Sequence, residues 1–273
     1  MKESREDRRE RMVAVYRDTM NMIKESSKLS EAVQQSIQGT KFYPAEAIPR
    51  PNTNCTKQTV ITVTGNRSFQ AASQLKARHP QKKVTVLNFA SATSPGGGVT
   101  TGSSAQEESL CRCSTLYPLL SRKYLWDKYY KENRVHQDPL HTDACIYTPD
   151  VVIIKSDVDH PERLPEHDWA KVDVLTCAAP SFRYVDPISN EALLQLHLKR
   201  GRQILNVALE NGTDCLVLGA FGCGAFKNDP NVVANAYAQL MKEYHGAFDE
   251  VEFAVFYWGK EIQNFETFKK ILG

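Results

Sequence analysis

The chain has 273 residues, 41% hydrophobic and 24% charged, enough to bury a sizeable core as one large domain or as a domain with an extension. Thirty-four Lys and Arg against 32 Asp and Glu leave a formal net charge of +2. With the two signs mixed along the chain, that excludes a general nucleic-acid-binding face.

Seven cysteines run from Cys55 to Cys223 without a CxxC pair. The odd number and the scatter argue against a disulfide scaffold and predict reduced thiols in the cytoplasm. No histidine or cysteine spacing asks for a metal. The N-terminus mixes both charge signs, with no apolar run before Met12, so it reads as neither a secretory signal nor a transit peptide. No stretch approaches transmembrane length.

In chain order, a helix is expected from about Arg5 to Ile23 and a second from Ser30 to Gly39. Pro44, Pro49 and Pro51 then mark a connection, "YPAEAIPRPNTN". We take residues 1–50 as an N-terminal helical extension and 51–273 as the main domain. "QTVITVT" predicts a strand, "SFQAASQLKARH" a helix, and "KVTVLNFA" a strand ending in a glycine loop. "SAQEESLCRCSTLYPLLSRKYL" begins as a helix that Pro118 interrupts. "ACIYTP" and "DVVIIKSD" predict two short strands around Pro149, and "KVDVLTCAAP" another. A long amphipathic helix ends at Gly212. "DCLVLGAFGCGAF" is a strand entering a second glycine loop, followed by a helix with Asp229 as N-cap and Pro230 at its first position. "VEFAVFYW" closes the series as a strand, and its aromatics, like Trp126, are expected in the core.

Short, continuously apolar strands between helices predict an α/β domain with a sheet covered on both faces. In such sheets ligands sit beyond the carboxyl ends of the strands. Two glycine loops leave strands there, at 90–103 and 219–228. In the second, Gly219, Gly222 and Gly224 precede a helix N-terminus, where backbone amides can turn towards a phosphate. A plain turn needing positive φ would account for the same glycines. Phe221 and Phe226 could cover a sugar or base, or plug the core. Neither a Walker A nor a dinucleotide fingerprint is present. In the first loop, Ser104 and Glu107 have capping-box spacing, but that explains neither Gly96, Gly97 and Gly98 nor Glu108. Adjacent carboxylates on a helix point about 100° apart, so Glu107 and Glu108 cannot share one task.

The stretch "NFASATSPGGGVTTGSSAQEESL" resembles the signature of bacterial-type poly(ADP-ribose) glycohydrolases, a branch of the macrodomain superfamily. Here Gly96-Gly97-Gly98 are followed by seven residues and then Gln106-Glu107-Glu108. "GAFGCGAFKNDP" is similar to that family's diphosphate loop, and "STLYPLL", "CIYTPDVVIIKSD" and "TCAAPS" fall in the expected order, so the resemblance runs from about Val13 to the C-terminus. It implies a macrodomain-like three-layer α/β/α fold with a mixed central sheet and an N-terminal helical extension.

It also implies that Glu108 is catalytic and Glu107 positions the ribose. Asn88 would contact the terminal ribose, Gly96 to Gly98 would approach it, and Gln106 completes the motif. Ser91 stands where some longer relatives carry Asn. Gly222, Cys223, Gly224, Ala225 and Phe226 would hold the diphosphate. Cys223 could be a reactive thiol near a helix start, or simply small enough for the loop, and Tyr257 is a candidate adenine contact.

The implied reaction breaks a ribose–ribose O-glycosidic link through an oxocarbenium-like state and needs an acid, a water and no metal or cofactor. Neighbouring like charges in a partly buried site should raise one carboxyl pKa of the pair. The partners expected are poly(ADP-ribose) or ADP-ribosylated macromolecules, with ADP-ribose as product and no membrane. Two other readings share the pocket: a hydrolase of mono-ADP-ribose on protein or nucleic acid, and a reader that binds without cleaving.

Overall fold

The computed structural model describes residues 3–51 and 58–273; Cys55 and the end of the proline-rich connection lie outside them. Helices α1 (Arg5–Glu25) and α2 (Ser27–Gly39) come first, with Ser4 and Asp7 forming a capping box on α1. Strand β1 (Lys41–Tyr43) follows, then β2 (Val60–Thr64), α3 (Ser68–Arg78), β3 (Val84–Phe89) and α4 (Gln106–Cys113). Short helices α5 (Leu116–Leu120), α6 (Lys123–Leu125) and α7 (Lys131–His136) lead to β4 (Cys145–Ile153) and β5 (Ala170–Cys177). The chain finishes with α8 (Asn190–Glu210), β6 (Cys215–Leu218), α9 (Pro230–Glu243), β7 (Glu250–Ala254) and α10 (Gln263–Leu272).

Among the described residues one sheet holds seven strands, in the order β1-β4-β5-β3-β6-β7-β2. β5, β3, β6, β7 and β2 run parallel, while β4 is antiparallel to β5 and to β1. The sheet is mixed and macrodomain-like.

Strand alternation divides the core. Val84 and Val86 of β3, Val172 and Val174 of β5 and Val217 of β6 pack with α1 to α4. Leu87, Leu175 and Leu216 face the other way, onto α8, α9 and α10. Three layers result, and the carboxyl ends of the five parallel strands open on one edge.

Several local expectations change. The break after α4 falls at Ser114, in extended conformation, rather than at Pro118. Thr115 N donates to Val152 O and Ile154 N to Cys113 O, drawing this segment alongside β4. Pro118 lies in the first turn of α5, where its missing N–H costs no helical bond. The two strands expected around Pro149 are one, β4, with a register shift between Thr148 and Val151. Asp150 takes φ 54° there and its amide donates to Asp173 Oδ1 at 2.9 Å, so the bulge keeps its donor satisfied.

The final strand stops at Ala254. Phe256, Tyr257 and Trp258 leave the sheet and are 42, 37 and 54% exposed, not core, and Trp126 is only half-buried. β1 is too short to show alternation, and α10 adds a helix beyond the last expected strand.

Candidate active site

β3 delivers Asn88 to the carboxyl edge of the sheet, on the face covered by α4. Asn88 is fully buried, and its Nδ2 donates to Thr176 Oγ1 of the adjacent β5 at 3.2 Å and to Glu107 Oε1 at 3.3 Å. The chain turns at Ser91, whose hydroxyl accepts from the amides of Thr93 and Ser94 at 3.3 and 3.1 Å. Ser91 N donates to Glu107 Oε2 at 2.7 Å, so both oxygens of Glu107 are engaged.

The glycine triplet then comes back over the first turn of α4. Gly96 and Gly97 take φ of 66° and 57°, which only glycine adopts freely. A Cβ at Gly97 would fall 2.5 Å from Glu108 Oε1, and one at Gly96 2.8 Å from the Tyr117 ring. This approach lets Gly98 N donate to Glu108 Oε1 at 2.9 Å. The other oxygen, Glu108 Oε2, is buried and has no hydrogen-bond partner among the described residues.

Gln106 braces the assembly. Its Oε1 accepts from Phe89 N at 2.9 Å, and its Nε2 donates to Leu87 O at 2.8 Å and Ser68 Oγ at 3.0 Å. The capping box is absent, because Ala105 is the N-cap and Glu107 is turned instead towards Ser91 and Asn88.

Burial pushes Glu107 up to about 8, and the charge of Glu108 adds to the rise. The amide of Ser91 and the carboxamide of Asn88 oppose it without cancelling it. The adjacent pair therefore holds one proton between its two carboxyls at neutral pH.

The loop after β6 lies along the same edge. Phe221 is buried under it, against Phe89 of β3 with ring centroids 5.6 Å apart. Gly222 has φ 80°, and a Cβ there would meet Ala179 Cβ at 2.7 Å and Asn228 Nδ2 at 2.8 Å. Gly224 and Ala225 are exposed and Phe226 is half-buried. The amides of Gly224, Ala225 and Phe226 make no backbone hydrogen bond among the described residues, which leaves them as donors for an anion. Asp229 caps α9 by accepting from Asn231 N at 2.8 Å, which leaves the loop amides, rather than the helix end, to receive an anion.

Burial raises the Cys223 thiol far above the usual range, so the thiolate chemistry considered for it is disfavoured, and its size explains its place. The sequence candidates thus gather at the end of β3, the start of α4 and two neighbouring loops, while Tyr257 sits after β7 beside Gly65 and Phe265. Three supports were not among them. Asp157 accepts from Ser109 Oγ at 2.6 Å and from Phe69 N at 3.1 Å, Thr176 holds Asn88, and Asn228 lies within the second loop. Thr176 shows in the sequence only as a polar residue within an apolar strand, and Asp157 and Asn228 lie among other polar residues, where nothing local singles them out.

The model of the microbial-type PARG catalytic domain matches residues 10–156, over half of the chain. A crystal structure of poly(ADP-ribose) glycohydrolase from Thermomonospora curvata is 30% identical, with TM-score 0.86 over 97% of this chain and 100% of its own. A second, bound to the inhibitor ADP-HPD, is also 30% identical, with TM-score 0.84 over 96% and 99%. The Deinococcus radiodurans enzyme in complex with ADP-ribose is 35% identical, with TM-score 0.76 over 87% and 96%. Curated proteins provide no match by sequence. With a family model over more than half of its length and relatives at this identity and coverage, the chain belongs to the microbial-type poly(ADP-ribose) glycohydrolase family.

Proposed function

We propose that the chain hydrolyses ribose–ribose O-glycosidic bonds of poly(ADP-ribose) and releases ADP-ribose, with Glu108 as acid and base. One observation carries the assignment of roles. Glu107 has both oxygens engaged, whereas Glu108 keeps Oε2 buried and unpartnered, free for a proton transfer to substrate. Glu108 Oε2–H protonates the leaving ribose oxygen as the anomeric C–O bond breaks. The carboxylate formed then takes a proton from the water that attacks the anomeric carbon, which restores the acid.

Glu107 and Asn88 hold the ribose, with Ser91 shaping the turn beside it. Gly96, Gly97 and Gly98 admit the sugar close to backbone, and Gln106 fixes the start of α4. Gly222, Cys223, Gly224, Ala225 and Phe226 take the diphosphate, with the backbone amides of the loop as its donors. Tyr257, at the exposed exit of β7, offers a ring to the adenine.

Cleavage proceeds from the chain terminus. The support is α1, which packs on the turn Val99–Thr101 that follows the glycine triplet and so restricts one side of the pocket. We read residues 1–50 as an extension serving a catalytic domain at 51–273. The six described cysteines are free thiols, in keeping with action in the cytoplasm on poly(ADP-ribose) or ADP-ribosylated macromolecules. Among the described residues no helix is long and apolar enough to cross a membrane.

The test is release of ADP-ribose from purified poly(ADP-ribose) by wild type and Glu108→Gln. Loss of the acid should cut kcat by ~10²–10⁴-fold while ADP-ribose still binds. Undiminished turnover by the variant would refute the assignment, and binding without turnover by wild type would make the protein a reader or a mono-ADP-ribosyl hydrolase.

A further inference from the structure

Asn228 closes the second glycine loop and is 3% exposed. Its side-chain Nδ2 faces three backbone carbonyls, donating to Pro180 O at 2.7 Å, Gly222 O at 3.1 Å and Phe226 O at 3.3 Å. Its own amide donates to Gly222 O at 3.1 Å. Two of those carbonyls belong to the loop itself, and the third to the segment that leaves β5. Three converging acceptors select the NH₂ end of the carboxamide, so Oδ1 must point the other way. It points to His197 of α8, whose Nε2 lies 2.9 Å away and must therefore be the protonated ring nitrogen.

His197 is 2% exposed and meets Phe221 edge to face, with centroids 6.1 Å apart. Burial lowers its pKa to about 4, reinforced by the charge of Arg200. The ring is neutral at working pH and serves as a fixed donor. Arg200, one turn further along α8, donates to Ala178 O at 2.8 Å and Leu140 O at 2.9 Å, so the same face of the helix also grips the flanking segments. With both ends of the loop drawn in on Asn228, the amides of Gly224, Ala225 and Phe226 between them stay without backbone partners among the described residues.

We propose that His197 and Asn228 are a buried pair of positioning residues that holds the 219–228 loop in its anion-receiving shape. The proposal rests on the reading of that loop as the diphosphate site. Neither residue touches substrate. Each acts through the backbone it holds, so the effect belongs in ground-state and transition-state binding alike.

The experiment compares wild type with Asn228→Asp, His197→Phe and His197→Gln. Asn228→Asp keeps the size but sets a carboxylate against three carbonyls. His197→Phe removes the donor at similar volume, and His197→Gln supplies an N–H in its place. For each, kcat and KM on poly(ADP-ribose), thermal unfolding, and affinities for ADP and adenosine are measured. We expect Asn228→Asp to raise KM ~10-fold or more with kcat little changed, as loss of uniform binding requires. His197→Phe should act in the same direction and His197→Gln should recover most of the loss. A purely structural role would instead lower the folded fraction, and apparent kcat with it, at constant KM.

Wild type should prefer ADP over adenosine, and Asn228→Asp should erase that preference. If wild type shows no such preference, the diphosphate reading of the loop falls. If wild type prefers ADP and folded Asn228→Asp keeps both the preference and the KM, the positioning role is overturned while the loop reading stands. Should Asn228→Asp not fold, the His197 variants carry the same comparison, and equal KM values for Phe, Gln and wild type overturn the proposal.

Discussion

At Glu107 both carboxylate oxygens accept hydrogen bonds, yet burial and the neighbouring Glu108 still hold its pKa at about 8, well above an ordinary glutamate. Its folded pKa therefore exceeds its unfolded one. The stability linked to this proton is complete below the unfolded value near 4.5 and is lost as pH rises through about 8. Glu107→Gln cannot ionise. Its Tm relative to wild type should rise steadily between pH 5 and 8, and a pH-independent difference in calorimetry would contradict the assignment. The sequence shows two adjacent carboxylates and says that their surroundings must differ. Which one is confined and which keeps a free oxygen depends on Ser91 and Asn88 arriving from β3, and no spacing within the motif encodes that.

On the scale of elements, α1 comes against the segment that follows the glycine triplet, with Gly102 facing Arg9. Gly102 has φ 81°, and a Cβ there would lie 2.9 Å from Arg9 Cα and collide with the Arg9 carbonyl oxygen. Gly102→Val thus meets both an unfavourable φ and a backbone clash, and α1 must move away. We expect faster proteolytic cleavage within the first 25 residues and a loss of selectivity for chain termini, read as longer oligomers among the products. Unchanged protease resistance would argue against the contact. The expected helix spans about Arg5 to Ile23 and the structure has Arg5–Glu25, so its extent is readable in the sequence. Its docking site is not, because only Met12, Thr19 and Ile23 are buried, too few to define a face by periodicity. α10 differs: Phe265, Phe268 and Leu272 recur at helical spacing, so its signal is present in the sequence.

Across the whole molecule, α1 is fastened to the segment that leaves β4 by charge. Lys155, 2% exposed, donates through Nζ to Val15 O at 2.7 Å and pairs with Asp18 at 2.8 Å, and Arg163 also binds Asp18. The Arg163 hydrogen bond, followed by that of Lys155, holds the Asp18 carboxyl well below its usual range. A depressed carboxylate pKa contributes stability that is present above the unfolded value near 3.8 and disappears only as pH falls through the folded one. The tether accordingly survives mild acid. Asp18→Asn leaves Lys155 without its counter-charge and should lower Tm by ~2–6 °C near neutral pH, with the gap to wild type closing in strong acid. An unchanged Tm would remove the network from the account.

By itself the sequence determined the α/β class, the order of most strands and helices, and the two glycine loops at the carboxyl edge of the sheet. Apolar periodicity, caps and glycine spacing are local, and they survive in a linear string. Only the tertiary structure decided that β4 runs unbroken past Pro149, because Asp173 on a neighbouring strand satisfies the bulge. It likewise decided that Glu108 retains a free oxygen, and that His197, 31 residues before Asn228, reaches into the second loop. Those outcomes depend on which donors and acceptors are left without water when distant segments meet, and burial of that kind has no signature until the layers are packed.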